Sequence, residues 1–245
     1  MDHVFIFTSF LSLLQGVPLL IKILAPSLAT GFVLSVGIAL ARLSSKKSVS
    51  FVAFAYIYFF RSTPLLVQIF MIYYGLSQFA LIRESFFWQF LKHPYWCAVL
   101  ALTMNTAAYT GEIFRGGFLA APWGQIEAGR ALGMSGFLLF RRIIMPIAIR
   151  QALPAYSNEI ILMVKATSLA STITLMEVTG IAHKIISETY RTIEVFTAAG
   201  IIYLFINFLM TRSVRFVEHR LSPHLREATA AMAIVKNKSE NISSF

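Results

Sequence analysis

The sequence predicts an all-α integral membrane protein with five transmembrane helices. Three observations carry this prediction: 57% of the 245 residues are hydrophobic, only 13% are charged, and the mean hydropathy is +0.71. Soluble domains carry about 25% charged residues, and a chain of 27.4 kDa cannot hide so much apolar surface from water. The composition therefore excludes an ordinary soluble domain. The 22 phenylalanines also exclude a disordered chain, because such chains are poor in aromatic residues.

Five apolar segments are long enough to cross a bilayer, whose hydrocarbon core of about 30 Å takes about 20 helical residues. The spans are predicted over residues 23–41, 49–82, 95–111, 147–176 and 195–211. The stretch 4–14 is apolar but shorter, and no Lys or Arg precedes it, so it lacks the basic start of a signal peptide. We interpret residues 1–18 as an interfacial segment, 19–220 as the transmembrane domain and 221–245 as a polar cytosolic tail.

Lysines and arginines are unevenly distributed between the loops. These residues accumulate in the cytoplasmic loops of membrane proteins, and their bias sets the orientation of the chain. One side of the predicted membrane holds fourteen of them, namely Arg42, Lys46, Lys47, Arg115, Arg130, Arg141, Arg142, Arg150, Arg212, Arg215, Arg220, Arg226, Lys236 and Lys238. The other side holds five, namely Lys22, Arg83, Lys92, Lys184 and Arg191. With an odd number of spans, this bias predicts a periplasmic N-terminus and a cytoplasmic C-terminus.

The sequence carries no motif for nucleotide or metal chemistry. It lacks GxxxxGK[ST], the phosphate-binding loop of many ATPases. A single cysteine, Cys97, excludes a CxxC-type metal site. We therefore expect no cofactor and no enzymatic activity, and we assign the net charge of +10 to membrane topology rather than to nucleic-acid binding. Five helices are too few to enclose a substrate path, so the protein is expected to be one subunit of an oligomer.

The longest predicted cytosolic loop joins the third and fourth spans, over about 114–146. A short helix is predicted over 123–132, because Pro122 directly precedes it and Gly133 is placed to end it. From the pattern alone, this loop is either an amphipathic surface segment or a docking element for a cytosolic partner.

The sequence of this loop resembles the EAA loop of ABC importer permeases, which reads Glu-Ala-Ala, three residues, Gly, nine residues, Ile-x-Leu-Pro. Here Glu127-Ala128-Gly129 is followed by Gly133 and then by Ile143-Ile144-Met145-Pro146, so that Gly129 and Met145 are the departures. The segments 61–68, 105–112 and 153–159 resemble polar amino-acid permeases, above all those for histidine, lysine and arginine and for the opines octopine and nopaline. The resemblance runs from about residue 18 to residue 220.

This resemblance implies the type I ABC importer permease fold in a bacterial inner membrane. It also implies a second permease subunit (a copy or a paralogue), two ATP-binding subunits and a periplasmic substrate-binding protein. The resemblance further implies that Glu127, Ala128, Gly133 and Pro146 couple the permease to the ATPase. The predicted function is the import of polar amino acids, the basic ones foremost, or of opines. The alternative is a secondary transporter or channel that works without ATPase subunits.

One polar group falls inside the long second apolar run. Ionisable side chains at membrane depth cost roughly 2.5–3.5 kcal/mol, so they usually face a cavity or a partner. Arg61 lies 12 residues after Val49, which is about 18 Å along a helix, and Pro64 follows it. The run is therefore either one span interrupted at mid-depth or an interfacial helix followed by a span.

Two more polar groups fall in the third and fourth spans. Asn105, Tyr109 and Glu112 are spaced to share one helical face, although Asn105 could instead bond a neighbouring helix and Glu112 could pair with Arg115. Glu159 would meet either a cationic group of the substrate or Arg61 or another basic residue. The predicted substrate pathway is lined by Thr63, Asn105, Tyr109, Glu112, Asn158 and Glu159.

Overall fold

The computed structural model describes residues 3–221, and within this range every regular element is a helix. The α-helices are α1 (His3–Leu14), α2 (Val17–Arg42), α3 (Lys47–Ser62), α4 (Leu65–Phe70), α5 (Ala80–Arg83), α6 (Trp88–Leu91), α7 (Pro94–Leu119), α8 (Trp123–Ala131), α9 (Gly136–Leu139), α10 (Met145–Ala166), α11 (Val178–Thr189) and α12 (Thr192–Leu221). Short π- and 3₁₀-helical turns cover Met71–Gly75, Leu76–Gln78, Phe140–Ile144 and Thr167–Ile173. Apart from its first residue, the predicted polar tail lies outside the described residues.

Helix α7 lies at the centre of the bundle. Of its 26 residues, 13 are buried, and it packs against α2, α3, α4 and α10. It approaches α2 closely at Gly31, where an added Cβ would come within 2.3 Å of Cγ2 of Thr106. Small residues allow such close packing of membrane helices. Because α7 is enclosed by other helices, its polar side chains face protein rather than lipid.

The contacts between helices fix their directions. The hydroxyl of Tyr95 donates to the carbonyl of Lys22, so α7 and α2 start at the same end and run parallel. Arg42, at the end of α2, bonds Ser50 near the start of α3. The ends of α2 and α7, the start of α3, and α8 therefore gather at one end of the bundle, which we call the α8 end.

The predicted second span is broken into two elements. After Ser62, Thr63 and Pro64 are extended, with ψ of 142° and 134°, and the helical stretches Lys47–Ser62 and Leu65–Gln78 meet at 106°. Pro64 causes this break, because it has no N–H and its ring keeps the preceding residue out of the helical region. The geometry is that of two separate elements rather than one straight span.

The number of membrane crossings is between two and four by the length and apolarity of the described helices. Val4–Arg42 and Thr192–Phe216 qualify alone. Two bent pairs could each add one, namely Lys47–Ser62 with Leu65–Gln78 and Gly136–Ile173 with Val178–Thr189, the second bent by 48°. The predicted third span forms helix α7, which is not among the helices that length and apolarity select as membrane crossings. The described elements are all helical, as predicted, and the count of five spans stays a prediction.

The N-terminal segment forms α1, which packs against α11 and α12. Only Gln15 and Gly16 separate it from α2. The stretch Val4–Arg42 has 39 residues, which is about 58 Å of helix and nearly twice the hydrocarbon thickness. Part of it must therefore lie outside the membrane core, and the interfacial assignment of residues 1–18 stays a prediction.

The predicted fourth span starts earlier than expected. Helix α9 continues through the π-helical turn Phe140–Ile144 directly into α10, so Pro146 lies within a continuous helical run. Pro146 has no N–H to donate to a carbonyl of the preceding turn. The helix widens into a π turn over that stretch, Phe140–Ile144. Helix α9, at the α8 end of the bundle, thereby leads into α10 without an intervening loop.

Candidate functional site

Two adjacent cavities lie between α3, α7 and their neighbours. The upper cavity, of about 450 Å³, is lined by Arg61, Ser62, Thr63, Pro64, Leu65, Asn105, Tyr109, Glu159, Leu162, Met163 and Ala166. The lower cavity, of about 310 Å³, is lined by Arg42, Phe54, Ile57, Tyr58, Arg61, Ser62, Tyr109 and Glu112. Arg61, Ser62 and Tyr109 line both. The two cavities therefore follow one another along a single path toward the α8 end.

Gln68 holds the broken span in shape. Its Nε2 atom donates to the carbonyl of Phe60 at 2.9 Å and to the carbonyl and hydroxyl of Thr63 at 3.1 and 2.8 Å. Its Oε1 atom accepts from Nδ2 of Asn105 at 3.0 Å. The carbonyls of Phe60 and Thr63, which lack a helical partner at the break, are thus hydrogen-bonded by Gln68. Buried backbone groups require such a partner. We did not predict this role for Gln68, although an amide four residues after Pro64 in an apolar run was the available signal.

Glu159 is a buried carboxylate with a single hydrogen bond among the described residues. It is 7% exposed, and the hydroxyl of Thr106 lies 3.3 Å from its Oε1 atom. Within residues 3–221 no basic side chain forms a direct ion pair with Glu159. The guanidinium of Arg61, which lines the same cavity, lies over the ring of Tyr109, 5.2 Å from its centroid. The predicted alternative, in which Glu159 meets Arg61 or another basic residue, stays a prediction, and Thr106 is a partner that the sequence analysis missed.

The three polar residues of α7 follow the path from one cavity to the next. Asn105 lines the upper cavity, Tyr109 both, and Glu112 the lower. Both suggested alternatives also occur, because Asn105 bonds Gln68 and Glu112 forms an ion pair with Arg115, whose Nε lies at 2.8 Å. Thr63 lines the upper cavity. Asn158 is exposed and lines neither cavity, so the structure does not bring it to this group.

Helix α8 is the candidate docking element, and its end is built as predicted. Gly133 has a φ of +75°, a conformation that glycine adopts without strain. Its N–H bonds the carbonyl of Arg130 at 2.9 Å, and the N–H of Met134 bonds that of Gly129 at 3.1 Å. This pair of bonds is a Schellman ending. Gly129, a departure from the EAA pattern, is the buried residue of the helix.

The rest of α8 and its surroundings are exposed and partly apolar. Trp123 is 64% and Leu132 is 78% exposed, and Phe137 of α9 is 74% exposed. The indole N–H of Trp123 donates to Oε1 of Glu127 at 2.8 Å, and the guanidinium of Arg130 lies 5.7 Å from the Trp123 ring centroid. Trp123, Leu132 and Phe137 are thus three large apolar side chains exposed in and beside α8. A rigidly held, exposed Trp is a candidate anchor for a protein–protein contact.

Comparison with known proteins gives concordant results. The family model of the binding-protein-dependent transport system inner membrane component matches residues 31–223. The chain is 55% identical over 239 residues to the octopine transport system permease protein OccM of Rhizobium meliloti, covering 98% of both chains. It is 40% identical over 215 residues to the histidine/lysine/arginine/ornithine transport system permease protein HisM of Escherichia coli K12, covering 87% of this chain and 90% of that one.

A solved structure of an amino acid ABC transporter with histidines matches with a TM-score of 0.80 and 33% identity, over 90% of this chain and 99% of that chain. The resemblance inferred from the EAA loop is thus confirmed, and the fold is the all-helical ABC importer permease fold. The protein is a transport component rather than an enzyme, and it works within an ABC transporter complex with ATPase and permease partners. The chain belongs to the family of binding-protein-dependent transport system inner membrane components, and it is a multi-pass protein of the inner membrane.

Proposed function

We propose that this chain is the permease subunit of an ATP-driven importer of basic amino acids or opines. Octopine is the substrate named for OccM, and histidine, lysine, arginine and ornithine are those named for HisM. The translocation pathway is formed with a second permease subunit, either a copy or a paralogue. Two ATP-binding subunits and a periplasmic substrate-binding protein complete the assembly. The family assignment argues against the alternative, a secondary transporter or channel without ATPase subunits, because the matched family consists of components of binding-protein-dependent transport systems.

The observation that carries the substrate class is a pair of opposite charges in the upper cavity. Arg61 and Glu159 both line it and do not pair with one another. A basic amino acid has a carboxylate at one end and a cation at the other, which suits a site with a guanidinium and a carboxylate. A volume of about 450 Å³ is within the usual range for small-molecule sites. Asn105 and Thr63 orient the substrate through an amide and a hydroxyl.

The membrane arrangement we propose has five crossings, formed by α2, the broken α3–α4 unit, α7, α10 and α12. The burial of 13 residues in α7 supports this, since an enclosed helix crosses a membrane without an apolar surface of its own. The α8 end is cytoplasmic and the N-terminus periplasmic, because Arg42, Lys46 and Lys47 gather beside α8. Reporter fusions after Ser45 test the orientation, and a periplasmic signal there would overturn it.

Coupling to ATP hydrolysis runs through α8. Ala128 is exposed and small enough to let a partner surface approach closely, and Glu127 holds Trp123 in place. Gly133 turns the chain back toward α9, from which the helical run passes Pro146 into α10. Glu159 lies on that same helix. A displacement of α8 by an ATPase subunit therefore passes through the short turn 132–135 to α9, and from there along continuous helix to the carboxylate of the upper cavity.

The test is uptake of radiolabelled arginine by the assembled complex in proteoliposomes, with octopine and histidine as competitors. Glu159→Gln keeps the shape of the side chain and removes its charge, so uptake should fall at least about tenfold, the effect of losing roughly 1.4 kcal/mol. Glu84→Gln is the matched control, because Glu84 is exposed and lines neither cavity. Normal uptake by the Glu159 variant, or uptake by wild type without ATP, would contradict the proposal.

A further inference from the structure

We propose that the lower cavity is a second binding station for the substrate's carboxylate, with Arg42 as the cation that receives it. The inference rests on the proposed function and adds a site to it. Two guanidinium groups, those of Arg42 and Arg61, line this cavity on the way from the upper cavity to the α8 end. A substrate leaving the upper cavity in that direction passes them in turn.

Arg42 is held at the wall of the cavity rather than free in solvent. It is the last residue of α2, and its Nη1 atom donates to the hydroxyl of Ser50 at 3.0 Å, while that hydroxyl donates to the Arg42 carbonyl at 3.0 Å. Its guanidinium carbon lies 5.1 Å from the ring centroid of Phe54. Its Nε atom is buried and has no hydrogen-bond partner among the described residues. A guanidinium that is fixed at the wall of a cavity in this way is suited to bind a carboxylate.

The charges around the lower cavity favour an anion. Its only lining carboxylate is that of Glu112, which is already paired with Arg115. Within the described part of the chain, neither Arg42 nor Arg61 forms an ion pair. Two guanidinium groups thus act on a cavity between helices, where the effective dielectric constant is below that of water and a positive potential is stronger. The substrate's carboxylate is the anionic group that must travel this path.

Arg61 connects the two stations. Its guanidinium lies over the ring of Tyr109, and both residues line both cavities. A carboxylate held by Arg61 can therefore pass to Arg42 without losing contact with a cation. The cationic end of the substrate leaves Glu159 and finds the ring of Tyr58, which lines the lower cavity. A cation over an aromatic ring is held less strongly than one paired with a buried carboxylate, so binding at the second station is weaker and release is favoured.

The experiment measures kcat and KM for arginine uptake by the complete complex in proteoliposomes. Arg42→Gln should lower kcat about tenfold and leave KM within about twofold, because the lost interaction belongs to exit and not to the upper cavity. Arg42→Lys keeps the charge and should recover most of kcat. Lys46→Gln is the matched control, since it removes a cation from the same end of the bundle without lining the cavity. It should transport at the wild-type rate.

Ser50→Ala provides a second variant that leaves the charge in place and only loosens the guanidinium. Its kcat should fall about threefold, the loss expected for one hydrogen bond of about 0.7 kcal/mol. A wild-type kcat in Arg42→Gln overturns the second station. If the complex with Arg42→Gln does not assemble, a wild-type kcat in Ser50→Ala overturns the second station instead. Glu159→Gln is measured in the same series. If it is defective while the Arg42 and Ser50 variants are normal, the second station fails and the proposed function still stands.

Discussion

The hydroxyl of Tyr203 donates a hydrogen bond of 2.7 Å to Oε2 of Glu177, and this bond ties α12 to the start of α11. Glu177 is fully buried, and its Oε1 atom accepts from the N–H of Gly180 at 3.0 Å, so the same carboxylate caps α11. The hydroxyl of Thr179 lies 3.1 Å from that of Tyr203. A buried carboxylate thus fixes the bend between the end of α10 and α11 against the last long helix.

We expect Tyr203→Phe to destabilise the protein, because it removes a donor from a buried carboxylate. The cost should be about 1–3 kcal/mol, which is typical of a buried acceptor left unpaired. Thermal unfolding of the purified complex checks this. Tyr74→Phe is the control, since Tyr74 is 52% exposed. An unfolding midpoint of the Tyr203 variant equal to that of the control would show that the bond contributes nothing.

We expect Gln68→Leu to weaken the break in the second span. The substitution introduces an apolar side chain of similar size and removes the bonds of Gln68 to the carbonyls of Phe60 and Thr63 and to the amide of Asn105. Only the long contact of 3.5 Å between the Asn105 amide and the Phe60 carbonyl remains. The loss should be at least about 2 kcal/mol, and the distorted upper cavity should slow uptake. Gln78→Leu is the matched control, because the Gln78 amide is at the surface and has one long contact of 3.4 Å. Equal stability of the two variants would contradict the role of Gln68.

Sequence reasoning succeeded where a local cause decides the structure. Pro64 alone dictates a break, and the positive φ of Gly133 follows from its place after a short helix. The face shared by Asn105, Tyr109 and Glu112 follows from helical spacing. All three lie along the two cavities, as the spacing suggested.

What could not be predicted depends on contacts between distant segments. The bond between Thr106 and Glu159 joins residues 53 apart, and that between Tyr203 and Glu177 joins residues 26 apart. Asn158 and Glu159 are neighbours in sequence, yet only Glu159 faces the cavity, because adjacent helical residues point about 100° apart. The number of spans also depends on more than apolarity, because half of α7 is buried among its neighbours and this helix is absent from the spans that apolarity selects.

We expect Gly133→Asp to misplace α8 while the rest of the bundle stays folded. A side chain at a φ of +75° is strained, by about 1 kcal/mol or more, and the strain is relieved by unwinding the helix end. Uptake and co-purification of the ATPase subunits should both fall, with normal insertion. Gly136→Asp adds the same charge nearby at a position with ordinary φ and open space, so it should be neutral. Normal uptake and co-purification in Gly133→Asp would make the loop a passive connector.

The exposed side chain of Trp123 supplies the last prediction, that this residue anchors the docking of an ATPase subunit. Large aromatic side chains dominate such contacts, and truncation of one typically costs about 2–4 kcal/mol. Trp123 is presented rigidly, because Glu127 accepts its indole N–H and Arg130 lies against its ring.

Trp123→Ala should therefore weaken association with the ATPase subunits at least about thirtyfold, the factor that corresponds to about 2 kcal/mol. Glu127→Gln, which keeps an acceptor oxygen, should have a much smaller effect. The measurement is a titration of purified ATPase subunits onto the permease in nanodiscs. Trp88→Ala controls for loss of an indole, because α6 precedes α7 at the end of the bundle opposite α8. If Trp123→Ala and Trp88→Ala bind the ATPase equally well, the docking surface lies elsewhere. The exposure of Trp123 would then need another explanation, since an unshielded indole in water gains nothing for the isolated chain.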